Sequence, residues 1–433
     1  MLTIYIMNGI ALKNNSVLLI AIILISSVLL IRDLFGIGIN QYIIFLLMTS
    51  TFAILSPKET LLYMAFTCGI ITGVNGYILL VGMFFVLYKD RIYLRNHRVF
   101  LIPFFVLFLW ELFNGYSYVD SPQIGQFILY GGHLLVFFYY SYLSGDKDEN
   151  KDSILFYSIG TGVSLLIISA GVLQNPTDLV LETETNRAAL GVEANDSATH
   201  FSANANSLAY FSIVLISILL SLRKTVFNKQ IIFWSLLIVA LLAGALSRSR
   251  TWMLLGSLFL FSQFLLLRLS AKLKAFVVSI VLMFSFFYFF PGFMNSIVDA
   301  FAARFEEGNL STAGNRTVLF KEYMNFMSYH SEYQIFGTGA VYYKDVTSCS
   351  NSCHNALQQI YISYGILGCM FFMLIFYNTL RRRNKSINVF SYMPYLTAFI
   401  FMQSIQLLNP FSLMLPLALS SLAFKLNNNN LNR

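Results

Sequence analysis

His354 and Asn355 close the longest polar segment of the chain, and inside the apolar run that follows come nine residues, Gly365, two more residues and Gly368. An imidazole titrates near neutrality, which makes it a natural proton acceptor for a sugar hydroxyl. A lone histidine at a helix start is more often a cap or a packing residue, so His354 needs partners before it reads as a catalyst. Arginines are the partners that stand out. Arg187 lies in NRAALG, Arg248 and Arg250 lie in SRSRT, and Arg304 and Arg316 precede His354, the last within GNRTVLF. A guanidinium offers a planar fork of donors matched to phosphate oxygens, and its charge does not titrate away. Gathered in one place, such groups would hold a diphosphate. Each taken singly also reads as a snorkelling or salt-bridged side chain, Arg304 above all.

Cys349 and Cys353 precede the histidine with three residues between them. A small disulfide there would suit an oxidising compartment and would staple the backbone ahead of His354; two free thiols are the other reading. His330, His354 and the two cysteines share one segment, yet no CxxC or HxxxH spacing appears, so no metal site is expected. Cys68 and Cys369 fall in apolar runs and read as core. No Walker loop, no dinucleotide glycine pattern and no GxSxG is present. No nucleotide or other cofactor is therefore expected, and the substrate must carry its own leaving group.

The elements that must position these residues are membrane helices. Of the 433 residues, 57% are hydrophobic and 11% charged, against about 25% charged in ordinary soluble domains. The apolar residues cluster in runs of roughly 17 to 25, long enough to cross a hydrocarbon core, and backbone amides in lipid must pair within the segment. The reading is an all-α polytopic protein of about 12–14 spans, one transmembrane domain over 1–433. The net charge of +8 concentrates in four short loops: Lys89–Arg98, Arg223–Lys229, Arg268–Lys274 and Arg381–Lys385. That is the positive-inside pattern, and without a basic stripe bearing interleaved aromatics it excludes nucleic acid. Counting spans between these loops places 174–203, SRSRT and a large loop over 291–353 on the outer face. The arginines are thus where the positive-inside rule does not want them. The apolar run Thr60–Tyr88 reads as one long span or as two split at GVNGY, and the side of the N-terminus depends on which. No small-residue cleavage site follows the first apolar run, so no cleavable signal peptide is expected. The tail LNNNNLNR reads as frayed.

The pattern His354-Asn355, nine residues, Gly365, two residues, Gly368 resembles the signature of the bacterial O-antigen polymerase and O-antigen ligase family, the Wzy-like proteins. SRT at Ser249–Thr251 is similar to the family's SR element between two spans. GNRTVLF followed by FGTGAVYY at Phe336–Tyr343 is similar to its R…G-x-G pattern, and NRAALG followed by SANANSLAYF resembles an earlier R…N…A element. Asn204 fits that last place as well as Asn206 does. The resemblance implies a membrane glycosyltransferase of the bacterial inner membrane that uses an undecaprenyl-diphosphate-linked glycan on the periplasmic face, without metal or nucleotide and with inversion. It implies that Arg187, Arg250 and Arg316 hold the diphosphate, with Arg248 competing for the place of Arg250. His354 would orient or deprotonate the acceptor hydroxyl, Asn355 would support it, and Gly365 and Gly368 would let the helix pack closely. Partners would be the lipid-linked oligosaccharide, membrane lipid and a chain-length regulator. Polymerase is the favoured activity, ligase the alternative, and a lipid-linked glycan transporter the remote one.

Overall fold

The computed structural model describes residues 16–70, 75–89, 98–143, 148–174, 190–191, 202–266, 316–349, 352–380, 389–405 and 413–430, with isolated positions at 269–288 and at 407–408. Arg187 and Arg304 lie outside the described residues. The elements are α1 (Ser16–Leu34), α2 (Gln41–Ile54), α3 (Pro57–Gly69), α4 (Asn75–Lys89), α5 (Leu101–Tyr118), α6 (Ile124–Tyr142) and α7 (Asp148–Gln174). A two-residue antiparallel pair, β1 (Leu190–Gly191) with β2 (Ser202–Ala203), comes next. Then follow α8 (Ala205–Ser221), α9 (Gln230–Leu246), α10 (Arg250–Leu266), α11 (Arg316–Tyr329), α12 (Glu332–Phe336), α13 (Tyr343–Thr347), α14 (Ala356–Leu380), α15 (Val389–Met402) and α16 (Met414–Asn430).

The chain is an all-α polytopic membrane protein. Among the described residues, four helices are long and apolar enough to cross a membrane, and six shorter apolar helices accompany them. The Thr60–Tyr88 run is split, not continuous: α3 ends at Gly69 and α4 begins at Asn75. Ser56 opens α3 with a capping box to Glu59, and Pro57 supplies the first helical residue, two strong start signals. The last helix continues to Asn430, into the tail expected to fray, whose residues 431–433 lie outside the described residues.

Small residues set the helix spacing. A methyl group on Gly69 would lie 2.3 Å from the Thr161 backbone nitrogen, and one on Gly160 would lie 2.1 Å from the Phe66 carbonyl. α3 and α7 therefore touch backbone to backbone, as membrane helices with small residues do. Two lysines close helix ends. Lys89 Nζ donates to the carbonyls of Phe52 (2.6 Å), Ala53 (3.0 Å) and Leu55 at the end of α2. Lys425 Nζ of α16 donates to Ser141 and, at 3.1 Å, Leu143 at the end of α6. Cations at helix C-termini satisfy orphan carbonyls and suit the negative end of the dipole.

α14 is broken. Gly365 has φ 61° and ψ −159°, outside helical space, so the carbonyls of Ile362 and Ser363 are left for other donors. The segment Gly337–Gly339 supplies them: Thr338 N–H donates to Ile362 O (2.9 Å) and Gly339 N–H to Ser363 O (2.8 Å). The fit is reciprocal. A side chain on Gly337 (φ +77°) would strike Ser363 carbon at 2.3 Å, and one on Gly365 would strike Ile335 carbonyl carbon at 2.3 Å. Gly368 leaves room for the Tyr364 side chain, whose Cβ would otherwise be 1.9 Å away. Gly365→Ala is expected to cost about 2–4 kcal/mol, from left-handed backbone strain and overpacking together. Thermal unfolding of the detergent-solubilised protein would show it as a lower midpoint.

Candidate functional site

Arg250, Arg316 and His354 come together at one end of the helices. Arg250 is the first residue of α10 and Arg316 the first of α11, and His354 lies two residues ahead of α14. Burial lowers the pKa of Arg316, and the neighbouring positive charge of Arg250 lowers it further. Burial likewise lowers the pKa of His354, with Arg316 adding to the effect. Three helix N-termini and two guanidiniums thus face one region. Each N-terminus carries partial positive charge and unpaired amides, and an arginine on a helix's first turn opposes that dipole. Burial and the like charge of Arg250 disfavour the charged form of Arg316, and an anion bound beside it would offset both.

The turn that delivers Arg250 is held tightly. Ser247 Oγ donates to Gly244 O (2.6 Å) and accepts from Ser249 N–H (3.3 Å). Trp252 lies against Gly244, where any added carbon would be 1.9 Å from the indole, and its Nε1 donates to Ser212 Oγ (2.9 Å). Arg248 takes a left-handed φ of 50° and is 4% exposed. A non-glycine residue held there is strained, a condition that clusters at functional sites. SRSRT therefore places its two arginines differently: Arg248 buried within the turn, Arg250 beside Arg316.

Two adjacent glutamines brace the start of α14. Gln358 Nε2 donates to Phe320 O of α11 (2.8 Å), and its Oε1 accepts from Cys353 Sγ (3.0 Å). Phe320 lies one turn after Arg316, and Gln358 one turn after His354, so this side chain ties the arginine's helix to the histidine's. Gln359 Oε1 accepts from Leu407 N–H (2.8 Å) and Leu408 N–H (2.9 Å), fixing the connection between α15 and α16. Neither glutamine figured among the sequence candidates. Their signal is two amides side by side in an apolar run, which membrane helices rarely carry without a partner.

Asn355 is a helix cap. Its Oδ1 accepts from Gln358 N–H (3.0 Å), and its Nδ2 donates to Gln403 Oε1 (3.3 Å). It supports the backbone next to His354. The loose match at Asn206 resolves likewise: Asn204 caps α8, its side chain accepting from Asn206 N–H (2.9 Å).

The disulfide reading does not hold in this structure, where Cys349 and Cys353 are both free. Cys353 is buried, with its thiol on Gln358 and on Asn355 O (3.3 Å). Burial beside Cys349 pushes its pKa up to about 12. The backbone is held instead by Cys353 N–H donating to Tyr343 Oη (3.2 Å). Tyr343 in turn packs on Tyr323 of α11, ring centroids 5.8 Å apart.

The most prominent feature that sequence reading passed over is Glu111, in the middle of α5 and 1% exposed. Its two oxygens accept from Ala340 N–H (2.7 and 2.9 Å), and Oε2 accepts from Val341 N–H (3.1 Å). Tyr364 also hydrogen-bonds the carboxylate and pairs with Tyr130. The adjacent Trp110 donates from its Nε1 to Phe336 O (3.0 Å). A lone acid in the apolar run FFVLFLWELF was the available signal, because a charged residue in a membrane span demands a partner.

No curated protein and no solved structure matches the chain. Residues 233–373 match a family model described as O-antigen ligase, Wzy_C. That stretch contains SRSRT, Arg316, the His354-Asn355 pair and both helix glycines, and Arg187 and Glu111 fall outside it. The chain thus carries an O-antigen ligase family domain over residues 233–373, consistent with the Wzy-like O-antigen polymerase and ligase family that its motifs resemble.

Proposed function

We propose that the protein is an O-antigen or related surface-polysaccharide polymerase of the bacterial inner membrane. It transfers a growing undecaprenyl-diphosphate-linked glycan onto a hydroxyl of a new lipid-linked repeat unit, on the periplasmic face. The observation that carries this reading is the meeting of Arg250, Arg316 and His354 at three helix N-termini. In this reading the diphosphate lies beside Arg250 and Arg316. As the bond from the anomeric carbon to the diphosphate oxygen breaks, charge grows on that oxygen, and preset guanidiniums stabilise it. His354 accepts the proton of the attacking hydroxyl, which forms the new glycosidic bond on the opposite side of the sugar and inverts it. No metal is required in this scheme, and Arg187 is assigned to the diphosphate by resemblance alone. Basic loops such as Arg223–Lys229 put the other end of α9 in the cytoplasm. The 17 residues of α9 separate that loop from SRSRT by about 25 Å.

The choice between polymerase and ligase is decided by the glycan profile of a strain lacking the protein. Polymerase loss is expected to leave lipid A core bearing single repeat units. Long chains that accumulate unattached to core would instead assign the protein as the ligase.

A further inference from the structure

The segment after α12 does not stay at the membrane surface. Glu111 lies seven residues before the end of α5, about 10 Å along the helix. Ile362 and Ser363, which also hold this segment, lie six and seven residues past the start of α14, again about 10 Å. Two independent rulers give one depth. Residues 337–341 therefore form a re-entrant stretch that reaches the carboxylate within the helix bundle. Irregular backbone at such depth is tolerated only when protein satisfies it. Here the donors converge on Glu111, and among the described residues no lysine or arginine pairs with it. Tyr364 and two backbone amides together occupy the carboxylate, an acceptor on both oxygens.

What hangs from this anchor is the site. Two residues beyond Val341, Tyr343 receives Cys353 N–H directly ahead of His354, and its ring packs on Tyr323 of the helix that Arg316 opens. We infer that Glu111 is a positioning residue for the transfer reaction: by gripping Ala340 and Val341 at membrane depth it fixes Tyr343, and through Tyr343 the relative places of His354 and Arg316. This rests on the glycosyl-transfer reading for its reaction and on the hydrogen bonds alone for its mechanical part.

The test uses the full chain in membrane vesicles, with Glu111→Gln and Tyr343→Phe. Glu111→Gln keeps the shape of the side chain but turns a donor toward backbone donors. Tyr343→Phe keeps the ring and removes the hydroxyl, which accepts Cys353 N–H and also hydrogen-bonds Ser352 and Tyr323. Amide hydrogen exchange is read on peptides covering 337–343 and 352–360, and kcat and KM are read with a lipid-linked oligosaccharide. Glu111→Gln is expected to speed exchange in both peptides by about tenfold or more and to lower kcat about 100-fold with donor KM little changed. Tyr343→Phe is expected to speed exchange in 352–360 alone and to lower kcat by about tenfold. Faster exchange confined to 337–343 in Glu111→Gln would overturn the inference. So would a kcat loss accompanied by faster exchange throughout the helices, which marks general destabilisation. If the unaltered protein transfers no glycan while the two peptides still respond together, the mechanical link stands and the polymerase reading falls.

Discussion

His354→Ala is expected to lower kcat for glycan transfer by about 10²–10⁴-fold, the range that a positioned general base supplies, while the protein still inserts and folds. The side chain is half-buried and carries no helix or cap: Asn355, not His354, closes the first turn of α14. Loss of the imidazole therefore removes chemistry with little structure. The pH profile gives a second readout. Burial and the nearby Arg316 lower the pKa of His354, so the neutral, proton-accepting form persists below the ordinary histidine value of about 6.5. The acidic limb of kcat/KM, which reports the free enzyme, is expected below that value. Arg316→Gln removes one of the two causes, and the limb should move toward higher pH. Linkage runs in the same direction. Between the lowered value and about 6.5 the unfolded chain binds the proton and the folded chain does not, so stability falls as pH falls through that window. An acidic limb at or above the ordinary histidine value, or near-normal chain length in His354→Ala, would remove the histidine from the reaction.

The arginine pair makes the second large prediction, and it has two signs. Arg250→Ala and Arg316→Ala are each expected to lower kcat by about 10²–10³-fold, the loss seen when one preset donor to a developing oxyanion is removed. Without substrate the effect on stability should be small or favourable, because burial and the charge of Arg250 both disfavour the charged form of Arg316. A stability gain coupled to an activity loss is the mark of groups held together for a ligand. Inorganic pyrophosphate should stabilise the unaltered protein against heat and do so less in either variant, as binding to the folded state alone requires. Arg316→Lys keeps the charge but loses the bidentate fork and should recover only part of the activity. If both alanine variants unfold readily and turn over normally when folded, the pair is structural.

Much of the site was legible in order along the chain but not in space. Apolar length and flanking charge predict spans over 99–116, 231–246 and 356–380; the helices run over 101–118, 230–246 and 356–380. His354 and the arginines stood out because polar groups near membrane helices are costly and need a reason. What the chain does not display is which polar side chain meets which backbone group. Gln358 and Gln359 look alike in sequence and reach in different directions. Cys349 and Cys353 have a spacing that suits a bridge, yet Gln358 takes the second thiol. Gly365 reads as a packing glycine, and only the left-handed φ shows that it breaks the helix and frees carbonyls for Thr338 and Gly339. Glu111 was visible as an anomaly, and its partners, some 230 residues away, were not.

The contact between Lys425 and the end of α6 bears on biogenesis. The late hydrophobic segment α16 seats against one that was synthesised some 280 residues earlier. The translocon must hand over every intervening segment before that groove can be filled. A chain halted near the RRRNK loop would present an unfilled seam to lipid, and membrane proteases would have a physical mark by which to tell it from the finished product.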